Sequence, residues 1–154
     1  MKKLNYKALV IFIAIPLAVG GLAALLTGAG SDFYETIKRP ALSPPSWLFP
    51  VVWTILYILM GVSSYMIWER GERGKSALVI YGIQLAVNFA WSLVFFNAKA
   101  FLAAAIVIVV LWVLIAVMLG MFYRVRRQAA YLQIPYFLWV TFATYLTWAI
   151  YYLN

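Results

Sequence analysis

Five long apolar stretches alternate along the chain with short groups of charged and turn-forming residues. The stretches cover residues 8–26, 47–68, 77–96, 101–123 and 129–152. An α-helix rises ~1.5 Å per residue, so about 20 apolar residues cross the ~30 Å hydrocarbon core of a bilayer. The pattern therefore predicts an all-α fold, a single domain in which five transmembrane helices form one bundle.

The second stretch carries the most distinctive face. Starting at Trp53, the positions i+4, i+7, i+8 and i+11 are occupied by Tyr57, Met60, Gly61 and Ser64. These positions share one side of a helix. We expect that side, with two aromatic rings and a gap left by small residues, to form the wall of a pocket.

A 19-residue segment, residues 28–46, separates the first two stretches. Connections between adjacent helices are usually much shorter, and long ordered loops are often functional. Asp32 and Glu35 fit a capping pair for a short helix that would hold Phe33 and Tyr34. The segment could act as a lid over the bundle or rest at the membrane surface, and the residues alone leave both alternatives open.

The third stretch has two opposite faces. Gln84 and Asn88 lie one helical turn apart, with Trp91 on the same side. The nearly opposite side carries small residues at four-residue spacing: Gly82, Ala86 and Ala90. A buried amide in hydrocarbon needs a partner, so the polar side indicates either ligand contact or a tie between helices. The small-residue side indicates helix contact, either within the bundle or in a homodimer.

The remaining stretches carry weaker signals. Pro16 and Pro135 predict bends in the first and fifth stretches, and Gly20 and Gly21 would let another helix approach the first one closely. The fourth stretch is almost uniformly aliphatic apart from Trp112, and we expect it to be a lipid-facing scaffold. One stripe of the fifth stretch holds Trp139, Ala143, Leu146 and Ile150.

Composition excludes several kinds of chemistry. Of the 154 residues, 67% are hydrophobic and 10% are charged, which is typical of a membrane protein. The chain has no cysteine and no histidine, so disulfides, thiolate metal sites and histidine bases are absent. Its acidic residues are Asp32, Glu35, Glu69 and Glu72, all outside the apolar stretches. The intramembrane carboxylates that proton-coupled pumps use are therefore missing.

The net charge of +8 is best explained by orientation in a membrane. The basic residues are dispersed among short loops, so we expect no binding of nucleic acid. Nine lysines and arginines (2, 3, 7, 70, 73, 75, 124, 126, 127) fall on one side of five spans, and three (38, 39, 99) fall on the other. The positive-inside rule then predicts a cytoplasmic N-terminus, an outward-facing first loop and a C-terminus outside. The absence of a transit peptide favours a bacterial plasma membrane.

Three motifs occur in series on the second, third and fifth stretches. They are Pro44-Pro45-x-Trp47 with Trp53-x-x-x-Tyr57-x-x-Met60-Gly61, then Gln84-x-x-x-Asn88-x-x-Trp91, then Pro135-Tyr136-x-x-Trp139-x-x-Phe142-Ala143-x-x-Leu146. In this order they resemble the translocator protein family, also called peripheral benzodiazepine receptors or tryptophan-rich sensory proteins. The resemblance covers nearly the whole chain. It implies a five-helix bundle with a cup for ligand beneath the long first loop.

The resemblance also implies what the cup receives. Members of the family bind porphyrins, including protoporphyrin IX and haem, as well as isoquinoline carboxamides and benzodiazepines. The candidate ligand-binding residues are Tyr34, Trp53, Tyr57, Gln84, Asn88, Trp91, Trp139, Phe142, Ala143 and Leu146. A porphyrin carries two carboxylates at one edge, and we expect Lys38 and Arg39 to meet them. We expect no metal site and no required cofactor.

Three functions fit these observations. The first is a membrane receptor or sensor for tetrapyrroles, which needs no ionisable chemistry. The second is a light-dependent oxidation of bound protoporphyrin, with Trp53 and Trp139 as electron donors. The third is a tetrapyrrole transporter or a membrane scaffold. The sterol motif of animal members lacks its basic residue at residues 151–154, whereas loose versions of it occur at Val62, Tyr65 and Arg70 and at Leu119, Tyr123 and Arg126, so the sequence does not decide sterol binding.

Overall fold

The computed structural model describes residues 3–28 and 31–154, and within these ranges it contains helices and no strand. The six α-helices are α1 (Tyr6–Thr27), α2 (Ser31–Thr36), α3 (Leu48–Trp68), α4 (Lys75–Ser92), α5 (Phe101–Val125) and α6 (Arg127–Leu153). A 3-10 turn, Gly71–Gly74, precedes α4, and a π-helical turn, Leu93–Asn97, continues it. The five long helices form one bundle, and α2 lies in the loop between the first two. The predicted all-α, five-helix bundle is confirmed.

Four of the long helices have the length and composition needed to cross a membrane. They are Tyr6–Thr27, Leu48–Trp68, Gly71–Asn97 and Phe101–Val125. The fifth, α6, has 27 residues and carries more glutamine, threonine and tyrosine. Its length of about 40 Å exceeds the ~30 Å hydrocarbon core. Its buried polar residues face the other helices, and α6 is the fifth long helix of the bundle.

Side-chain contacts identify the two ends of the bundle. At one end, the backbone N–H of Asn5 donates to the Tyr65 hydroxyl (2.9 Å), and Arg126 pairs with Glu69 (3.0 Å). The described basic residues of this end, here called the basic end, are Lys3, Lys7, Arg70, Arg73, Lys75, Arg124, Arg126 and Arg127. The opposite end, here called the loop end, holds Lys38, Arg39 and Lys99 beside residues 31–46. The charge asymmetry predicted from the sequence follows this division, although Lys2 lies outside the described residues.

Near the basic end, helices α1 and α3 touch backbone to backbone. A Cβ added at Gly61 would collide with the Cα of Ile13 and the carbonyl oxygen of Phe12. Met60 and Ser64 are both fully buried in the same region. The prediction that these three residues of α3 continue the pocket wall is therefore wrong, because the small side chains bring two helices together and leave no space between them.

The small-residue side of α4 points away from the bundle. Gly82, Ala86 and Ala90 are exposed, and no atom lies within 4 Å of a Cβ built on Gly82. The expectation that this side packs within the bundle is wrong, because the opposite side of α4 carries Gln84 and Asn88 into the core. A homodimer contact through the three residues stays a prediction.

Helix α5 is more than a lipid-facing scaffold. One of its sides is completely buried and consists of Ala104, Ala105, Ile108, Leu111, Ile115, Met118 and Phe122, all at or below 1% exposure. Its other side exposes aliphatic residues such as Val109, Val113 and Val117. Lipid and protein core are equally apolar, so a uniformly aliphatic sequence does not reveal which side of a helix packs against its neighbours.

Candidate functional site

A cavity of about 290 Å³ lies at the loop end of the bundle. It is enclosed by the loop-end halves of α1, α3 and α6, by the π-helical turn and by the loop between the first two long helices. It is lined by Leu17, Gly20, Gly21, Ala23, Ala24, Thr27, Tyr34, Ser46, Phe49, Pro50, Trp53, Thr54, Tyr57, Trp91, Ser92, Phe95, Phe96, Trp139, Ala143, Leu146, Thr147 and Ile150. Seven of the ten sequence-predicted residues are among them: Tyr34, Trp53, Tyr57, Trp91, Trp139, Ala143 and Leu146. The structure therefore brings residues of four separate segments to one space.

Aromatic rings keep the helices apart around this space. Trp53 stacks on Tyr57, one turn further along α3, with ring centres 5.5 Å apart. Phe49 meets Trp139 of α6 edge to face, with ring centres 5.9 Å apart. Across α1, Gly20 has no side chain where the Tyr57 ring lies, and a Cβ there would collide with that ring. The Tyr57 ring thus fills the gap beside Gly20, and the rings of Phe49, Trp53 and Trp139 line the open part of the cavity.

The π-helical turn adds another part of the wall. Trp91 stacks on Phe95 with ring centres 5.6 Å apart, and Phe96 meets Phe95 edge to face at 4.8 Å. The turn ends where the Asn97 amide donates to the carbonyl oxygen of Leu26, at 3.0 Å. This bond fixes the end of α1 to the end of the third span. Wide turns of this type are frequent at functional sites.

The loop covers the end of the bundle. The Tyr34 hydroxyl donates to the carbonyl oxygen of Pro44 (2.9 Å), and the Tyr34 ring meets Phe49 edge to face with centres 5.0 Å apart. At the C-terminus, the Asn154 side chain accepts from the Lys38 N–H and donates to the Lys38 carbonyl oxygen. Residues 31–46 thus lie over the loop end of the bundle, as the lid alternative predicts, and a resting position at the membrane surface stays a prediction.

Gln84 and Asn88 lie deeper and do not line the cavity. The Tyr136 hydroxyl donates to the Gln84 side-chain oxygen at 2.7 Å, and the Asn88 amide donates to the same hydroxyl at 2.9 Å. All three side chains are almost completely buried. The Tyr136 ring also packs edge to face on Trp53, with ring centres 6.2 Å apart. The two amides therefore tie α4 to α6 and reach the cavity only through Tyr136 and Trp53.

Phe142 likewise lies outside the cavity. Its ring packs between Trp139 (5.7 Å between ring centres) and Tyr145 (6.1 Å) on the same helix. It is one residue removed from Ala143, so helix rotation of about 100° turns it away from the wall. Phe142 supports the position of Trp139 without facing the space itself.

The cavity wall is largely apolar, and none of the described residues that line it is charged. Its threonine hydroxyls donate to carbonyl oxygens of their own helices, as Thr54 does to Pro50 (2.6 Å) and Thr147 to Ala143 (2.7 Å). Trp91 differs, because its indole Nε1 is buried and has no hydrogen-bond partner in the described chain. A buried N–H without a partner costs free energy unless a ligand accepts from it.

Comparison with known proteins places the chain in a family. The sequence model of the TspO/MBR family matches residues 12–153. The chain belongs to this family. It is 39% identical to the tryptophan-rich protein TspO of Chlorobaculum tepidum over 151 residues, which cover 95% of both chains. It is 34% identical to the tryptophan-rich protein TspO of Archaeoglobus fulgidus over 98% of this chain and 99% of the other. The translocator protein of Sus scrofa is 34% identical over 90% of this chain and 85% of its own length.

Membership in the TspO/MBR family confirms the resemblance inferred from the three motifs. Together with four helices of membrane-spanning length and composition, it identifies an integral membrane protein. The names of the relatives, translocator protein and tryptophan-rich sensory protein, support a receptor or sensor role in the membrane.

In this TspO/MBR chain, neither Lys38 nor Arg39 lines the cavity. The Arg39 guanidinium pairs with Glu35 at 3.4 Å and lies 4.6 Å from the centre of the Tyr34 ring. Since Tyr34 is itself part of the wall, Arg39 is one aromatic ring away from the space. Lys38 is exposed, and its backbone is held by Asn154.

Several wall residues of this TspO/MBR cavity were not predicted from the sequence. They include Leu17, Phe49, Phe95, Phe96 and Thr147. Helical spacing could have found three of them, because Phe49 precedes Trp53 by four residues, Phe95 follows Trp91 by four, and Thr147 follows Ala143 by four. Phe96 reaches the wall because the π-helical turn shifts the register, and no simple sequence pattern predicts that shift.

Proposed function

We propose that the chain is a membrane receptor or sensor whose cavity binds flat aromatic ligands. The ligand classes are tetrapyrroles, such as protoporphyrin IX or haem, and drug-like isoquinoline carboxamides or benzodiazepines. The observation that carries the proposal is a largely apolar cavity walled by Trp53, Trp91 and Trp139, together with a Trp91 Nε1 that is buried and has no hydrogen-bond partner in the described chain. Such a wall favours a flat ring system with a hydrogen-bond acceptor at one position.

The physical fit differs between the two ligand classes. Good aromatic contacts contribute about 0.5–1.5 kcal/mol each beyond simple burial, and three indoles surround the space. Ligand pockets usually measure about 300–1,000 Å³, so a cavity of about 290 Å³ fits a compact drug-like molecule. A tetrapyrrole is larger, and part of it would extend through the side where Gly21, Ala24, Pro50 and Thr54 are exposed.

The carboxylates of a porphyrin would meet Arg39 only after a local exchange. The guanidinium is paired with Glu35, and both side chains are partly exposed. An incoming carboxylate can replace Glu35 in a charge-assisted pair at little net cost. In this proposal Arg39 recognises a carboxylate at the loop end, and Lys38 contributes its charge nearby.

We also propose an orientation in the membrane. The basic end carries most of the lysines and arginines of the described chain, which favours its placement in the cytoplasm of a bacterial plasma membrane. The loop end, the cavity and the C-terminus would then face outward. Protease accessibility of a tag at Asn154 in intact cells and in inverted vesicles tests this orientation.

A fluorescence titration tests ligand binding. Purified protein in detergent is titrated with protoporphyrin IX, and we expect saturable quenching of tryptophan emission. Trp91→Phe removes the unpartnered N–H and should weaken affinity about tenfold, or about 1.4 kcal/mol. Trp68→Phe is the matched control, because Trp68 lies at the basic end against Phe12 and Tyr65. Quenching that does not saturate, or equal losses in both variants, would contradict the proposal.

A second candidate function is light-dependent oxidation of bound protoporphyrin. It is favoured by one observation: Trp53 and Trp139 both line the cavity, so two readily oxidised indoles would contact a bound ring. Illumination of the complex in air, followed by porphyrin absorbance, tests it. Bleaching that is slower in Trp53→Phe and Trp139→Phe supports this function, and bleaching at the parent rate in both variants rejects it.

A further inference from the structure

Buried polar atoms of three side chains are not explained by the ligand cavity. Gln84 Nε2 and both polar atoms of Gln133 have no hydrogen-bond partner in the described chain, and the buried Tyr81 hydroxyl has the Ser64 hydroxyl nearby but outside hydrogen-bond geometry. Gln84 and Gln133 are completely buried, and Tyr81 is 6% exposed. None of the three lines the cavity. The bundle therefore contains a second group of polar atoms that needs partners.

The register of the helices brings these side chains to one depth. Helices α4 and α6 run in the same direction from the basic end, and the Gln84–Tyr136 bond of 2.7 Å fixes their relative height. Tyr81 precedes Gln84 by three residues, and Gln133 precedes Tyr136 by three. Each is thus about one helical turn nearer the basic end. Both side chains are buried inside the bundle, and the centre of the Tyr81 ring lies 6.4 Å from that of the Phe122 ring of α5.

Unpartnered amides are especially costly at this place. A polar group buried in an apolar environment without a hydrogen bond is destabilised by several kcal/mol, and the spans lack the bulk water that would solvate it. A glutamine side chain offers two donors and one accepting oxygen, and a tyrosine hydroxyl can do both. The group thus combines unused donors with unused acceptors.

The surrounding charges restrict what could bind there. All acidic residues, Asp32, Glu35, Glu69 and Glu72, lie outside the five long helices, and the described basic residues lie in the connections or in the terminal turns of these helices, at the two ends of the bundle. The group offers no carboxylate to a cation and no positive charge to an anion. Its occupant must be small, neutral and able both to donate and to accept. Water has these properties and is held in protein interiors by two to four such bonds.

We propose that Tyr81, Gln84 and Gln133 form an internal water-binding site on the basic-end side of the ligand cavity. The site is separate from that cavity, because Tyr136 and Trp53 lie between the two. Bound water completes the hydrogen bonds of the two amides and links them to the Tyr81 hydroxyl. It extends the polar network that ties α4 to α6, and it does not depend on which ligand the cavity receives.

Hydroxyl-radical footprinting of the ligand-free protein tests this site, because radiolysis of bound water labels the side chains beside it. We expect Tyr81 to be oxidised several-fold faster than Tyr65. Tyr65 is similarly buried, at 2% exposure, and has a protein partner at Asn5. It lies nearer an end of the bundle, so penetration by bulk water would label it at least as fast. Slower or equal oxidation of Tyr81 would overturn the proposal.

The substitution Gln133→Met gives an independent test, because it preserves shape and removes the amide. If water bridges the three side chains, the variant leaves Tyr81 and Gln84 without it, and the apparent Tm should fall by roughly 2–4 °C. Oxidation of Tyr81 should slow as well. Leu85→Met, at a similarly buried position of α4, gives the cost of a methionine in the core. A Tm that rises relative to this control would overturn the site, because removal of two unpartnered atoms would then be favourable. If Gln133→Met does not fold, the footprint of the parent protein decides alone.

Discussion

The two halves of the bundle are built from the same helices but pack in opposite ways. Towards the basic end, small residues let backbones touch, as Gly61 does with Ile13. Towards the loop end, rings such as Trp53 and Trp139 hold the helices apart and leave about 290 Å³ of space. The cavity therefore depends on the sizes of the side chains along each helix. The close packing that is missing around the cavity is found at the basic end.

Helix α6 shows this change within one element. Ala129 and Ala130 are buried near the basic end, and the Ala129 carbonyl oxygen accepts from the Ser63 hydroxyl at 2.7 Å. About three to four turns later, Trp139 and Ala143 line the cavity. Because α6 packs closely near the basic end and carries aromatic residues near the loop end, it stabilises the bundle and also lines the cavity.

The strongest test of this comparison is Gly61→Val. The new side chain would collide with the backbone of Ile13, which cannot move without separating α1 from α3. Overpacking costs typically 1–3 kcal/mol, and a collision with backbone should reach about 3 kcal/mol or more. We expect a large loss of apparent Tm, measured by intrinsic tryptophan fluorescence, or a failure to accumulate folded protein.

The control for this variant is Gly82→Ala on α4. No atom lies within 4 Å of a Cβ at Gly82, and alanine in a helix interior is favoured over glycine by about 0.5–1 kcal/mol. The apparent Tm should therefore stay the same or rise slightly. Similar losses in both variants would show that glycine is needed for helix geometry in general and that the close contact at Gly61 has no special role.

Tyr136→Phe tests the boundary between the two halves. The substitution removes the hydroxyl that joins Gln84 to Asn88 and leaves both amides without that partner. We expect a loss of about 1–3 kcal/mol in the free energy of unfolding. Ligand affinity should also fall, because the ring that packs on Trp53 loses the two hydrogen bonds that hold it in place. Tyr145→Phe, at a 46% exposed position of the same helix, should change neither quantity. Equal stability of the two variants would contradict the assigned network.

The sequence predicted the loop end better than the basic end, and the reason is physical. On α3 and α6, rings and small residues alternate with the helical period, so Trp53, Tyr57, Trp139 and Ala143 could be placed on common faces before the structure was known. Near the basic end, Gly61 falls on the same helical face as these residues. The local sequence does not distinguish a gap that another helix fills from a gap that stays open.

The sequence could not predict long-range hydrogen-bond partners, for a different reason. Gln84 and Asn88 were recognised as buried amides, but their partner Tyr136 lies about fifty positions away in the chain. Either a ligand or another helix could satisfy an amide, and the pattern of α4 is the same in both cases. The packed side of α5 could not be predicted either, because the lipid and the protein core favour the same residues.

Ala143→Leu tests the loop end by filling its space. Ala143 lines the cavity, so a leucine side chain at this position should occupy part of the cavity volume. We expect the affinity for a drug-like ligand to fall about tenfold, or about 1.4 kcal/mol, with little change in apparent Tm. Ala103→Leu, at an exposed position of α5, should affect neither. Parallel losses of affinity and stability at position 143 would mean that this half is packed as tightly as the basic end.

The smallest expected effect concerns the lid. Glu35→Gln releases Arg39 from a partly exposed pair that contributes about 0–1 kcal/mol, so the apparent Tm should barely change. The freed guanidinium should strengthen binding of protoporphyrin IX a few-fold and leave a ligand without carboxylates unaffected. Glu72→Gln is the matched control, since it removes the same charge from an exposed pair with Lys75 at the basic end. Equal porphyrin affinity in the two variants would show that net charge alone matters, and that Arg39 has no special position at the loop end.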